Sequence, residues 1–282
     1  MVYKQAMKGF LRAVIGTVLI SLLVYQGMLF LFSAEWLNLS PAFLPETLKN
    51  TICISHPFWN HSVLSLPFGI AQTFYIISCF FFLFSGGGIV FKLQKRGLLD
   101  FYLSRAVSRR RCYMSLWWRG LTYAAVFSLL LGGGMLGYLY CQGGLHLYPY
   151  TSDTYGWSQF DFYRHMGFAL RLSLRTFLVW LMLYSIGLCF GAMCKGKGKS
   201  RMLAVLPFLV MYASGILYEL FPQLSFLLYG VIFHAALPHA ALSENILFLW
   251  HPFPLLAVLL LASLFGGLSA FARRDLPEEI GG

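Results

Sequence analysis

KLQKRGLLDFYLSRAVSRRRCYM, residues 92–114, lies between two long apolar runs and holds seven Lys/Arg against one acid, Asp100, in a chain of which only 11% is charged. Read as a helix, it repeats Leu98, Leu99, Tyr102, Leu103, Ala106 and Val107 at spacings of three and four, so one face is apolar while the bases gather at both ends. A basic amphipathic element between membrane spans either lies on the membrane or meets a partner. The runs on either side of it decide the fold class.

Those runs belong to a chain of 282 residues that is 59% hydrophobic with a mean hydropathy of +0.69, far more apolar than one soluble core requires. A helix needs about 20 apolar residues to cross hydrocarbon, and the runs reach that length without the short alternation of outer-membrane strands. The expected fold is an all-α integral membrane protein, a single domain over 1–282 with six transmembrane helices near 13–32, 66–90, 120–140, 175–193, 202–218 and 253–272.

Charge tests that count, because Lys and Arg concentrate at the cytoplasmic ends of spans. With both termini inside, 17 of the 21 basic residues fall on the inner side: Lys4, Lys8, Arg12, Lys92, Lys95, Arg96, Arg105, Arg109, Arg110, Arg111, Arg119, Lys195, Lys197, Lys199, Arg201, Arg273 and Arg274. Lys49, Arg164, Arg171 and Arg175 fall outside or at the outer interface. The expected location is the plasma (inner) membrane, multi-pass. The +11 formal charge is spread over segments that each abut a span, so topology and contact with lipid headgroups explain it better than nucleic acid does. The basic N-terminus with its long apolar run reads as an uncleaved first span rather than a signal peptide.

Between spans one and two, residues 33–65 read as short interfacial pieces along the outer leaflet, and residues 221–250 as re-entrant or interfacial helices before the last span. Residues 160–174 have helical spacing and run into span four, placing Arg164, Arg171 and Arg175 on one stripe, where they are expected to snorkel to the outer interface unless they line a polar pathway. Cys53 and Cys141 fall in the two outer loops and are able to pair in an oxidising compartment; no CxxC occurs.

Catalytic chemistry finds little support. No acid falls near the middle of an expected span, which removes carboxylate pairs and the buried acids of proton-coupled carriers. There is no HExxH, and His56/His61 and His234/His239 are five apart, on different helix faces. GKGKS at 196–200 imitates the end of a phosphate loop, but Met193 stands where the first glycine belongs, so the segment reads as a cationic inner turn. Gly86-Gly87-Gly88 and Gly132-Gly133-Gly134 read as close helix contacts. No catalytic residue, cofactor or metal ligand is expected on this chain.

With catalysis set aside, LLDFYLSRAVSRRRCYM at 98–114 resembles the "LLS-RPVSRR" stretch that follows the second span of type-2 ABC-transporter permeases. Phe271-Ala272-Arg273-Arg274-Asp275-Leu276 is similar to the "F-x-RRDL" with which many members leave the last span. The layout matches over nearly the whole chain, from a basic amphipathic N-terminus to small outer helices before span six; the wording matches over about 25 residues. Ala106 replaces the usual proline, and Lys95-Arg96 precede Gly97 where many relatives carry an acid.

The resemblance implies the permease subunit of an ATP-driven exporter, not itself an enzyme. It implies two permease halves, identical or different, and a separate ABC-type nucleotide-binding subunit that holds ATP and Mg. A coupling helix within 92–114 would seat in that subunit through Leu98, Leu99, Phe101, Tyr102 and Leu103 as apolar anchors, with Arg105, Arg109, Arg110 and Arg111 meeting its acids or lipid phosphates. Spans two and five would line the path, with Gln72, Thr73, Tyr75 and Ser78 facing Tyr212, Ser214 and Tyr218. Aromatic content of 18% without buried charge suits an apolar or amphipathic cargo such as a peptide, lipid-like molecule or drug. The alternatives are an ion channel or secondary transporter, which needs its own driving site in the spans, and a membrane-embedded enzyme.

Overall fold

The computed structural model describes residues 9–31, 65–95, 97, 108–141, 162–194, 196–221, 223–224 and 253–273. Six helices fill them: α1 (Phe10–Leu31), α2 (Ser65–Lys95), α3 (Arg109–Cys141), α4 (Phe162–Met193), α5 (Lys197–Leu220) and α6 (Phe253–Arg273). No strand occurs among the described residues. Each helix overlaps one of the six apolar runs. Four are long and apolar enough to cross a membrane, through Thr73–Lys95 in α2, Arg109–Gly137 in α3, His165–Met193 in α4 and the whole of α6. Within α1, Phe10–Ser21 is apolar but shorter, and α5 opens on KGKSR and contains Pro207.

Local chemistry sets the boundaries around the basic segment. Gly97 adopts a φ of +62°, the left-handed conformation that glycine tolerates, and its N–H donates to the Gln94 carbonyl at 2.9 Å, which closes α2. Ser108 opens α3: its Oγ accepts from the Arg111 N–H at 3.3 Å and its carbonyl from the Cys112 N–H at 3.1 Å. Residues 92–114 are therefore not one continuous helix: α2 ends at Lys95, and Arg109, Arg110 and Arg111 belong to the first turn of α3. The expected span at 120–140 begins eleven residues early for the same reason. GKGKS is likewise a helix start, because Gly196 is the N-cap of α5.

The bundle is built around α4, which packs against α2, α3, α5 and α6, while α2 also meets α1, α3 and α5. Glycines permit the closest crossings. A Cβ on Gly86 would strike the Tyr184 carbonyl oxygen, one on Gly187 would strike that of Leu83, and one on Gly191 would lie 2.9 Å from that of Gly87. The α2–α4 crossing is thus backbone against backbone, as the GGG run suggested. Gly132 plays the same part between α3 and α4, where Ser173 Oγ donates to the Ser128 carbonyl at 3.1 Å. Around these contacts Phe74, Phe82, Phe127 and Trp180 form a buried aromatic core, with Phe82 stacked on Trp180 at 5.5 Å.

Candidate functional site

The basic end of the bundle is assembled from helix ends that the fold brings together. Arg109 Nη1 donates to the Ala272 carbonyl at 3.1 Å, which ties the start of α3 to the end of α6. Phe10 contacts the Tyr123 ring at 4.6 Å, which brings the start of α1 to the same end. Lys92 and Lys95 in the last turns of α2 share a cavity wall with Lys197 and Arg201 at the start of α5. Arg12, Lys92, Lys95, Arg110, Arg111, Lys197, Lys199, Arg201 and Arg273 are all exposed there. No carboxylate is among the described side chains.

Three consecutive arginines at the start of α3 oppose the positive end of the helix dipole, and the first turn carries no acid. The helix dipole, rather than the intrinsic propensity of arginine, disfavours them there. Arg109 is partly spent on the Ala272 carbonyl, whereas Arg110 and Arg111 project outward.

Arg119, counted with the inner cations from sequence, is enclosed by protein instead. It is 8% exposed, donates from Nη1 to Tyr184 Oη at 3.2 Å and lies 4.4 Å from the Tyr123 ring centroid. Tyr184 Oη in turn donates to the Leu116 carbonyl at 2.9 Å, and Trp117 Nε1 donates to Ser185 Oγ at 2.9 Å. Tyrosine faces and hydroxyls hold this cation, a role that spacing alone did not indicate.

The other expected site residues fall as follows. Leu98, Leu99, Phe101, Tyr102, Leu103 and Arg105 lie outside the described residues, as do residues 33–64 and 225–250, Cys53, and the side chains of Gln72, Tyr218, Cys141 and Arg164. Thr73, Tyr75 and Ser78 are buried within this chain, Tyr75 against Trp180 at 5.9 Å. Ser214 is buried and donates to the Met211 carbonyl at 2.8 Å, and Tyr212 stacks on Phe208 at 6.5 Å.

Arg175 corrects two expectations. It is 0% exposed, so it does not snorkel to the interface, and the spans do contain buried charge. The reason lies in α4: residue 175 sits on the most enclosed of the four apolar helices, beside buried Leu172, Thr176 and Val179. Arg171, one turn earlier, is half-buried.

Fold and site together define, over the described residues, an all-helical protein with four helices long and apolar enough to cross a membrane and a strongly basic end. Comparisons of the chain with protein-family models, with curated proteins and with solved structures find no match.

Proposed function

We propose that the chain is the membrane-spanning permease subunit of an ATP-binding-cassette exporter, with six spans, both termini cytoplasmic and ATP hydrolysed by a separate subunit. The observation that carries this reading is the segment between α2 and α3: its wording, its apolar stripe, and the abrupt helix ends at Gly97 and Ser108 that bound it. Ten residues, 98–107, remain between those ends. A short element with Leu98, Leu99, Phe101, Tyr102 and Leu103, flanked by the outward Arg110 and Arg111, suits docking into a groove of a soluble partner. The four helices long and apolar enough to cross a membrane hold no carboxylate, and Glu219 falls only in the last turn of α5, which is consistent with energy arriving through this surface. A second permease half, identical or different, would complete the path. The cargo is an apolar or amphipathic molecule.

One observation favours the alternative of a channel or secondary transporter. Arg175 is a buried cation in a membrane helix, a position at which charge usually serves an ion or substrate. The two readings separate on Tyr102→Asp combined with Leu103→Asp. In a permease this variant inserts normally and loses its ATPase partner and ATP-dependent transport; in a self-driven transporter it inserts and transports as before.

A further inference from the structure

A cavity of about 880 Å³ opens between α2, α3 and α5, and the chemistry of its wall is one-sided. Among the described residues Lys92, Lys95, Arg119, Lys197 and Arg201 line it, with Ser85 and Gln94 as the uncharged polar members and no acid. We propose that this cavity binds the phosphate of an anionic phospholipid headgroup. The inference does not rest on the ATPase reading.

Five cations around one cavity repel one another, and an anion placed among them relieves that repulsion. Arg119 is already held by Tyr184 and Tyr123, so its guanidinium is ordered before any ligand arrives. The start of α5 reinforces the field, because its first turn carries neither an acid nor a side-chain cap. The rest of the wall distinguishes a lipid from a soluble anion. Phe84, Ile89 and Phe91 line the same cavity, and the Arg201 guanidinium lies 5.7 Å from the Phe84 ring centroid. Exposed Phe80 on α2, with Met202, Leu203 and Leu206 on α5, extends an apolar surface along the two helices that flank the opening. A headgroup phosphate among the cations would leave its acyl chains on that surface, where a free anion gains nothing.

The test uses delipidated full-length protein returned to bilayer nanodiscs of phosphatidylcholine with or without phosphatidylglycerol, with retained lipid read by native mass spectrometry. Phosphatidylglycerol should be retained over phosphatidylcholine. Lys92→Gln with Arg201→Gln, two exposed cavity cations, should lower that retention about tenfold, whereas Arg12→Gln with Arg273→Gln, the same charge removed outside the cavity, should leave it unchanged. Equal retention of the two lipids, or an equal loss in both paired variants, overturns the proposal. Displacement of the lipid by millimolar inorganic phosphate would reassign the site to a free anion and overturns it too. If the cavity pair fails to fold, the wild-type protein still decides: its thermal midpoint must rise more with phosphatidylglycerol than with phosphatidylcholine.

Discussion

Helices α4 and α6 are both long enough to cross a membrane, yet 72% of the apolar stretch of α4 is buried inside the protein and only 17% of that of α6. The more apolar helix of the two is the more exposed one. A helix that faces outward in a membrane must be apolar on nearly every side, whereas one enclosed by protein is free to carry polar groups. Accordingly α4 buries His165, Arg175, Thr176 and Ser185, while the one buried polar side chain described in α6, Ser263, bonds its own helix at the Leu260 carbonyl. Val258, Leu261 and Phe265 on α6 are exposed instead.

A graded series of substitutions would sharpen or break this contrast. Gly187→Ala on α4 should have the largest effect, lowering stability by about 3 kcal/mol in a thermal or denaturant assay, because the new methyl meets the Leu83 backbone, which has no rotamer to move. Gly267→Ala on α6 should cost about 2 kcal/mol: its methyl meets the Tyr113 hydroxyl, the movable end of a side chain, with the Cys189 Cα also close at 3.0 Å. Tyr184→Phe on α4 removes the hydroxyl that accepts from Arg119 and donates to Leu116, a loss of about 1 kcal/mol. Gly133→Ala, with nothing within 4 Å of the added carbon, should stay within about 0.5 kcal/mol. Equal costs at Gly187 and Gly133 would show that the α2–α4 crossing is looser than described.

Much of the fold was legible because membrane helices write their length into the sequence. The apolar runs anticipated all six described helices, and the glycine run at 86–88 anticipated the close α2–α4 crossing. The start of α3 was harder to see. Three arginines discourage a helix start by the dipole rule, and only Ser108, a good N-cap residue, signalled one. Arg175 was misjudged because snorkelling depends on which neighbours surround a helix at that residue, which the hydropathy of a whole run does not report. Arg119 depended on tyrosines more than sixty residues away and on its own helix, a tertiary fact with no local pattern. Of the candidate site, the cationic helix ends could be read directly, their gathering at one end of the bundle required the helix packing, and residues 98–107 lie outside the described residues.

The central claim is that the basic end receives a separate ATPase, and capture of the intact protein from its native membrane tests it most directly. The account predicts that a soluble ATP-binding protein of separate origin is retained with the wild-type chain and lost with Tyr102→Asp combined with Leu103→Asp, both chains inserting equally. Reproducible absence of such a protein from the wild-type capture would contradict it.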